Sequence, residues 1–425
     1  VVGANKRQDG YMEGGNFIVS WCVGHLIELA TADTYEKRYA KWEYADLPIL
    51  PENWQFSISK GKEKQMKVLK DLVNRKDVTV ITSATDAGRE GELIFRLVYE
   101  KISCKKPVKR LWISSMEEMA IEEGFQNLRD SKDYDNLYHS ALCRAKADWI
   151  VGINATRLFS VLYGQTLNVG RVMSPTLAMI VEREASISVF KSEPFYTVQL
   201  DCGGFTLSSE KLQDIQAAKT LCKTCDGQSI TLYSVESKEK SENPPKLYDL
   251  TTLQREANRQ LGFTAEQTLS YTQSLYEKKL VTYPRTDSRY LTSDMSANTP
   301  AVVKAAAGFF MPQNIELSIS LEQVTDNSKV SDHHAIIPTM NVQGCDIASL
   351  PFGEREVLQL ISLRLVCAVG ESCRYGETIV KANAGGAEFT AKGKTILADG
   401  FRGIEKLYLT MKKEKPQEDK EKALP

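Results

Sequence analysis

The chain has 425 residues, which is too long for one ordinary hydrophobic core and predicts about two to four domains. Its 42% hydrophobic and 26% charged residues are typical of a soluble globular protein, and no apolar run approaches the ~18 residues of a membrane span. The net charge of -1 gives no global signal for nucleic acid, so a DNA enzyme of this composition would need its basic residues concentrated on one face. The nine scattered cysteines favour reduced thiols in a cytoplasm.

The first half of the chain predicts an α/β unit. Residues 16–29 read as a strand followed by apolar residues, and the β-branched run 78–81 predicts a buried parallel strand. The polar segment 83–91 follows, and then apolar residues recur at helical spacing from Leu93 to Val98. Functional groups gather at the carboxyl ends of the strands in such units.

The second half predicts helices and antiparallel strands in alternating blocks. The segments in chain order are 137–184 (helical, broken around 164–170), 195–200 and 229–235 (strands), 252–280 and 354–369 (helical), and 375–398 (strand-like). Because a helical block interrupts a β block, the order predicts one domain inserted into another.

An acidic run, ATDAGREGE at 84–92, directly follows the predicted buried strand. Asp86 and Glu90 lie where a loop enters a helix, and carboxylates there can hold Mg²⁺ while the metal keeps waters and phosphate oxygens. The alternative interpretation is that these acidic residues only stabilise the N-terminus of the helix.

A second run, NVGRVMSPTL at 168–177, combines a glycine, an arginine and a helix start. Gly170 permits close backbone approach, Arg171 offers a phosphate clamp, and Ser174 is predicted to cap a helix with Pro175 at its first position. The alternative is a helix start and nothing more.

Two further runs carry charged or titratable pairs, RAKADW and SDHHAIIPT. Arg144 and Asp148 lie one turn apart in the first run and could simply be a surface ion pair. His333 and His334 are adjacent in the second run, where they could donate to a phosphate or shuttle a proton, although a histidine pair is more often structural.

Tyr283 lies in the most informative run, VTYPRTDS at 281–288. Tyrosine is a poor nucleophile at its usual pKa of about 10, but a guanidinium such as that of Arg285 favours phenolate character and can hold a phosphate. A phenol that attacks a phosphodiester conserves the energy of the broken bond, so the strand can be rejoined without ATP. Alone, this run would be a Tyr-Pro turn before a helix.

Together and in this order, the runs resemble those of the type IA DNA topoisomerases, most closely the bacterial topoisomerase III branch. The resemblance covers nearly the whole chain, and it identifies 84–92 as the acidic signature of a Toprim domain. It also matches residues 24–26 and 114–115 to Toprim segments, and residues 169–177 and 244–254 to linking segments.

The resemblance implies a role for each candidate residue. The expected catalytic residues are Tyr283 as nucleophile, Arg285 and His333 at the scissile phosphate, and Glu90. Asp86 and Glu90 are expected to hold Mg²⁺. The expected DNA-binding residues are Arg144, Asp148, Arg171, Ser174, Gln254 and His334.

The implied reaction is transient single-strand cleavage through a 5′-phosphotyrosine, strand passage and religation, which relaxes negative supercoils or decatenates DNA. The expected partner is single-stranded or underwound DNA. The expected state is a monomer in a bacterial cytoplasm, associated with the nucleoid and not with a membrane.

The implied fold class is multidomain, with α/β, helical and β parts. A Toprim domain is expected at 1–135 and a helical arch or gate segment at 136–190. A β-rich domain at 191–245 and 373–410 is expected to be interrupted by a helical domain with the catalytic tyrosine at 246–372, and a charged tail follows at 411–425.

Two departures from the family pattern stand out. Gly88 replaces the middle carboxylate of the Asp-x-Asp-x-Glu signature, which makes tight binding of two metals doubtful. A first Toprim strand with a catalytic glutamate is expected before Val1, and the rest of the arch is expected after Pro425. The chain as given is therefore expected not to complete the reaction cycle alone.

Several alternatives remain open from the sequence. One is a catalytically incomplete fragment that binds single-stranded DNA. A metal-dependent phosphoesterase is less favoured because no upstream aspartate cluster accompanies Asp332, His333 and His334, and a nicking relaxase would need alternating histidines. An ATP-driven helicase is disfavoured because Glu388 stands where a P-loop needs its first glycine.

Overall fold

The computed structural model describes residues 1–113, 118–311 and 317–412. Contacts divide the chain into two compact units, Val1–Phe190 and Lys191–Pro425. The predicted Toprim segment at 114–115 and nearly all of the predicted charged tail at 411–425 lie outside the described residues. Within the described ranges, no helix combines the length and apolar character that crossing a membrane requires.

The first unit contains short strands and six α-helices among its described residues. The strands are β1 (Lys6–Gln8), β2 (Tyr11–Gly14), β3 (Phe17–Ser20), β4 (Ile27–Leu29), β5 (Phe56–Ile58), β6 (Ile81–Ser83), β7 (Val108–Arg110) and β8 (Arg129–Asp130). The helices are α1 (Ala32–Tyr35), α2 (Glu63–Val73), α3 (Arg89–Ile102), α4 (Glu118–Gln126), α5 (Asp135–Tyr163) and α6 (Met173–Val189).

The predicted strand–loop–helix unit is present as β6, an acidic loop and α3. Strand β6 pairs in parallel with β7, with Ile81 opposite Val108 and Ser83 opposite Arg110, and β8 pairs antiparallel on the other side of β7. The prediction of a buried strand over 78–81 is wrong in its bounds, because the strand begins at Ile81 and Val80 is 47% exposed. β-branched residues favour any pleated surface, so their run does not by itself fix burial.

Helix α3 packs against the long helix α5. The apolar face of α3 buries Leu93, Leu97 and Val98 in one cluster with Tyr138 and Ala141 of α5. The helical spacing read from the sequence therefore predicted the correct buried face. This packing fixes the entrance of α3, where the acidic run lies, against α5.

The second unit combines one antiparallel sheet with a helical block. Its strands are β9 (Gln199–Asp201), β10 (Thr206–Ser209), β11 (Thr231–Glu242), β12 (Cys373–Ala384) and β13 (Ala387–Ala398), in the spatial order β11-β12-β13-β10-β9. Its helices are α7 (Ile215–Cys225), α8 (Leu250–Leu261), α9 (Ala265–Glu277), α10 (Thr299–Ala307), α11 (Phe352–Ala368) and α12 (Phe401–Met411).

Strands on the two sides of the helical block lie in the same sheet. Strand β11 pairs with β12 along nearly its full length, from Thr231 opposite Asn383 to Glu242 opposite Cys373. The chain therefore leaves the sheet after β11, forms α8 to α11 and returns to pair with the strand it left. This is the arrangement expected of an inserted helical block, and the exact domain boundaries remain a prediction.

Helix α11 forms the centre of the helical block. It is buried on nearly all sides, and its residues contribute to two apolar clusters that also include residues of α8, α9, α10 and α12. At its N-terminal end, a Cβ atom on Gly353 would lie 2.4 Å from the ring of Tyr271 in α9. Glycine therefore lets α9, which leads toward Tyr283, approach α11 closely.

Candidate functional site

Tyr283 lies on an extended segment that is hydrogen-bonded to the segment carrying His333. The Thr282 N–H donates to the carbonyl of Ile337 (2.9 Å). The Thr282 hydroxyl donates to the carbonyl of Ala335 (3.1 Å) and accepts from the N–H of Ile337 (3.0 Å). Three hydrogen bonds from one residue therefore fix the register between the two segments, directly before the tyrosine.

The rings of Tyr283 and His333 are in contact. Their centroids are 4.3 Å apart with an interplanar angle of 42°, and the Tyr276 ring meets Tyr283 edge-on at 5.5 Å. The Thr286 hydroxyl donates to the carbonyl of His333 at 2.8 Å. Pro284, which follows Tyr283 in the sequence, is buried. The structure thus brings together the predicted nucleophile and the predicted assisting histidine.

A cavity of about 470 Å³ opens beside this contact. Its lining residues are Asp249, Leu250, Thr251, Arg285, Thr286, Asp287, Ser331, Asp332 and His333. Arg285 is exposed and supplies the guanidinium among these residues, whereas Asp249, Asp287 and Asp332 supply carboxylates. A phosphate in the cavity would therefore meet one arginine in a lining that is otherwise acidic or neutral. Arg285 is the lining residue best suited to bind its negative charge.

Two residues predicted to contact DNA are instead hydrogen-bonded to protein groups of the second unit. His334 is 7% exposed, its Nδ1 lies 2.8 Å from the carbonyl of Ala335, and burial lowers its pKa below the ordinary value of 6.5. This burial does not support the predicted DNA contact by His334. Gln254 donates its side-chain amide to the carbonyl of Ala265 at 2.9 Å, so this group ties α8 to the start of α9.

The acidic loop of the first unit is organised by a buried arginine that the sequence did not single out. Arg110 is completely buried, and its Nε donates to Oε1 of the buried Glu92 at 2.6 Å. Its two terminal nitrogens donate to the carbonyls of Thr85 (2.7 Å) and Asp86 (2.6 Å). Burial lowers the pKa of Arg110, against the charge of Glu92, which raises it.

Gly91 allows the start of α3 to close against the same loop. A Cβ atom at this position would lie 2.1 Å from the carbonyl oxygen of Asp86, which no real side chain tolerates. The Thr85 hydroxyl donates to the carbonyl of Gly91 at 2.8 Å and completes the turn. The glycine of the acidic run is therefore required by backbone packing.

Glu90 is paired with basic residues of the same unit. Its Oε1 accepts from Nη2 of Arg144 at 2.6 Å, and its Oε2 lies 3.7 Å from Nε2 of His25. Glu90 also lies in the first turn of α3, where a carboxylate stabilises the helix N-terminus, as the alternative interpretation predicted, although no side chain caps the N-cap residue Gly88.

The donor chemistry of Asp86 and Glu90 fits Mg²⁺, which takes hard oxygen ligands and is commonly held by one or two carboxylates with water and phosphate oxygens. Across residues 1–113, 118–311 and 317–412, no group of three or more His, Cys, Asp or Glu side chains is arranged to hold a metal. Asp86 and Glu90 remain the predicted metal ligands.

Arg144 and Asp148 do not pair with each other as the alternative interpretation predicted. Arg144 binds Glu90, whereas Asp148 accepts from Nε of Arg171 at 2.9 and 3.2 Å. Helix α5 therefore contacts the first turn of α3 with one residue and the loop before α6 with another, one turn further along.

The predicted capping role of Ser174 is wrong. Helix α6 begins at Met173, so Ser174 is already helical and Pro175 occupies the third position instead of the first. The Ser174 hydroxyl accepts from the N–H of Gly170 at 3.1 Å. The serine therefore stabilises the loop that carries Arg171 and does not cap the helix.

Two family models match the chain: residues 132–425 match one described as DNA topoisomerase, and residues 6–116 match the Toprim domain. A DNA topoisomerase 3 from Bacillus subtilis is 41% identical over 100% of this chain and 60% of its own length. A DNA topoisomerase 3 from Bacillus licheniformis is 40% identical with the same coverage. The chain thus spans about three fifths of the length of these curated relatives.

A solved structure, full-length topoisomerase I from Thermotoga maritima, matches 95% of this chain and 64% of its own chain with a TM-score of 0.67 and 23% identity. At that identity the match shows a shared fold. The resemblance drawn from the sequence motifs and the mixed fold class are confirmed by these matches.

Proposed function

The chain belongs to the type IA DNA topoisomerases, and from this premise we propose that Tyr283 cleaves and rejoins one DNA strand. The observation that carries the proposal is the contact between the rings of Tyr283 and His333, 4.3 Å apart beside a cavity that Arg285 lines. The family acts on DNA, and single-stranded or underwound DNA is the proposed substrate.

The proposed step is a transesterification. The Tyr283 oxygen attacks the phosphorus and loses its proton, a 5′-phosphotyrosine forms, and the bond from phosphorus to the 3′ oxygen breaks. The departing 3′ oxygen takes up a proton and becomes a free hydroxyl. One phosphoester replaces another, so reversal reseals the strand without ATP, and in the meantime another strand can pass through the gap.

His333 and Arg285 are the residues that would assist. The imidazole of His333 is in contact with the tyrosine ring, and an imidazole can act as a general acid or base. The guanidinium of Arg285 lines the same cavity and would balance the charge that develops on the phosphate oxygens. Both proposed roles are supported by the positions of His333 and Arg285 at the same cavity of the second unit.

Toprim domains bind metal ions, and we propose Mg²⁺ as the ion, held by Asp86 and Glu90. A bound Mg²⁺ would supply positive charge to phosphate oxygens. Arg110 would keep the backbone of the Asp86 loop in place, and Arg144 would hold Glu90 in its orientation.

Two of the remaining candidates would contact the DNA backbone. Arg144 and Arg171 are partly exposed guanidinium groups and suit phosphates, which carry affinity but little sequence information. Asp148 and Ser174 would act indirectly, by positioning Arg171 and its loop. The proposed state is a monomer in a bacterial cytoplasm, associated with the nucleoid.

Substitution of Tyr283 by Phe tests the proposal. A single-stranded oligonucleotide labelled at its 3′ end is incubated with the chain and Mg²⁺, and the reaction is stopped with detergent. The unsubstituted chain should give a labelled protein–DNA species, because the 5′ phosphate of the downstream fragment stays on Tyr283. Tyr283→Phe should give none while it keeps DNA affinity, because it lacks the nucleophilic oxygen and keeps the ring.

The matched control is Tyr271→Phe, which removes a phenol oxygen in α9 and should leave the adduct intact. An adduct that survives Tyr283→Phe would contradict the assignment. DNA binding without an adduct in the unsubstituted chain would instead favour the second candidate, a fragment that binds single-stranded DNA. The observation that favours this candidate is that the chain spans 60% of the length of its relative from Bacillus subtilis.

A further inference from the structure

A second tyrosine of the same unit lies between two lysines. The ammonium group of Lys329 is 4.6 Å from the centroid of the Tyr290 ring, and that of Lys246 is 5.2 Å from it. Both lysines are exposed, and Tyr290 is partly exposed. These three residues form the Lys–Tyr–Lys cluster.

The cluster adjoins the cavity beside Tyr283. Lys246 lies three residues before the lining residue Asp249, Tyr290 lies three residues after Asp287, and Lys329 lies two residues before Ser331. At about 3.3 Å per residue in extended chain, these separations are on the order of 7–10 Å. That span suits the next phosphates of a strand that enters the cavity.

Hydrogen bonds hold the three segments of the cluster together. The Ser288 hydroxyl donates to the carbonyl of Lys329 at 2.8 Å, and Nε of Arg289 donates to the carbonyl of Leu247 at 3.2 Å. The carbonyl of Tyr290 accepts from the N–H of Ala335, in the segment that carries His333, at 2.9 Å. The cluster is therefore held to the same segments as the candidate nucleophile.

The charges of the cluster favour an anion. Asp326 pairs with Lys329 at 2.7 Å, so two ammonium groups face one carboxylate and the tyrosine hydroxyl. A hydrogen bond from Lys246, its charge and that of Lys329 lower the pKa of Tyr290, against desolvation, which raises it. Both ammonium groups lie over the ring, and the tyrosine O–H is a donor that a phosphate oxygen can use.

A purely structural role explains the cluster less well. An exposed cation–π contact stabilises a fold only weakly, and two ammonium groups on one ring repel each other and offset part of that gain. A bridging anion would remove the repulsion. The cavity itself offers Arg285 against three aspartates, so a strand bound there gains from cationic groups just outside.

We propose that the Lys–Tyr–Lys cluster binds one phosphodiester of a single strand whose neighbouring phosphates extend into the cavity beside Tyr283. The ammonium groups of Lys246 and Lys329 hold the phosphate oxygens from two sides, and the Tyr290 hydroxyl donates to them. The identity of the ligand as single-stranded DNA rests on the proposed function, whereas the contact itself is tested by binding alone.

The experiment measures affinity for a labelled single-stranded oligonucleotide at several salt concentrations by fluorescence anisotropy. The double variant K246Q/K329Q should bind up to about fivefold more weakly at low salt, as expected for the loss of exposed charge contacts. Its plot of log affinity against log salt should be less steep by about 0.7, the value for one single-strand phosphate. The control K219Q removes an exposed lysine of α7 and should leave the slope unchanged.

Oligonucleotides with one neutral methylphosphonate locate the contact. In the unsubstituted chain, neutralisation at one position should weaken binding, and K246Q/K329Q should no longer respond at that position while it responds elsewhere. Y290F, which keeps the ring, should retain most of the slope. Circular dichroism with thermal unfolding checks that the variants are folded, which is expected because all four substitutions are at exposed or partly exposed side chains.

A slope for K246Q/K329Q equal to that of K219Q would overturn the proposal, and so would a weakened response spread evenly over all phosphate positions. The adduct assay on the same variants separates this proposal from the proposed function. A lysine effect without any Tyr283 adduct would uphold the cluster and favour the single-stranded-DNA-binding fragment, whereas an adduct without a lysine effect would refute the cluster and uphold cleavage.

Discussion

The acidic loop and the Tyr283 segment are held in place by different interactions. In the first unit, one fully buried guanidinium, that of Arg110, binds Glu92 and the backbone carbonyls that precede α3. In the second unit, neutral hydroxyls of Thr282 and Thr286 and backbone groups join the two segments that carry Tyr283 and His333. Removing one partner of a buried ion pair leaves an unpaired buried charge and costs much stability. Removing one hydroxyl from a network of neutral hydrogen bonds costs less, because the other bonds remain.

The largest expected effect is that of Arg110→Met in the first unit. It would leave Glu92, 1% exposed, with Arg96 at 3.4 Å as its remaining cationic partner. Breaking a buried pair costs about 3–5 kcal/mol, and the weak contact to Arg96 places the expected loss in free energy of unfolding at roughly 3 kcal/mol. Urea denaturation followed by circular dichroism measures this loss.

The paired variant Arg110→Met/Glu92→Leu sharpens this result. Apolar residues of similar volume can replace a buried ion pair at little cost, so the double variant should recover most of the stability. The carbonyls of Thr85 and Asp86 would still lack their donor, and the acidic loop should remain disturbed. A single variant as stable as the unsubstituted chain would contradict the role of Arg110.

A smaller effect is expected for Thr282→Val in the second unit. Valine keeps the shape but leaves the N–H of the buried Ile337 without its hydroxyl acceptor, at a cost of about 1–3 kcal/mol. Thr282→Ser keeps the hydroxyl and is the matched control. Equal stability of the two variants would show that the backbone bonds alone set the register of the Tyr283 segment.

The smallest expected effect is a pH dependence at His334. Burial holds its pKa below the ordinary 6.5, so as the pH falls through 6.5 the unfolded chain takes up the proton first. The His334 contribution is therefore fully present above that pH and is lost below it, by at most about 1.4 kcal/mol per pH unit. The charged or titratable neighbours that act on His334 are His333 and Asp294.

His334→Asn provides the comparison, since its side-chain amide can still donate to the carbonyl of Ala335 but does not titrate. Denaturation curves between pH 7 and about 5 should decline less steeply for this variant. Parallel curves for the two proteins would mean that other groups dominate acid destabilisation of the second unit.

Some features of the site were predictable from the sequence because they are local. The strand–loop–helix order of the acidic run and the helical face of α3 are set by neighbouring residues, and the structure shows both. Successive residues of an extended segment point to opposite sides, so adjacent histidines cannot both face one cavity. The sequence alone did not reveal that His333 lies in the cavity and His334 in the interior.

Other features depend on residues far apart in the sequence. Arg110 is separated from its partner Glu92 by 18 positions, and no local pattern distinguishes it from an exposed strand arginine. Ser174 failed for a local reason instead, because α6 begins at Met173, before the start at Pro175 that its motif suggested, and its hydroxyl accepts from the N–H of Gly170, four residues before it. The pairing of Arg110 with Glu92 could be predicted from the sequence only if the pairing of β6 with β7 were already known.

Helix α5 contributes one residue to each of two neighbouring ion pairs. Glu90 binds Arg144, and one turn further along the helix Asp148 binds Arg171. A phosphate that reaches either guanidinium must compete with a carboxylate that already occupies it. Binding there is consequently an exchange of partners, in which the released carboxylate becomes available to water or to a cation. An exchange changes the number of ion pairs little, so a strand held in this way can be taken up and released with a small change in free energy.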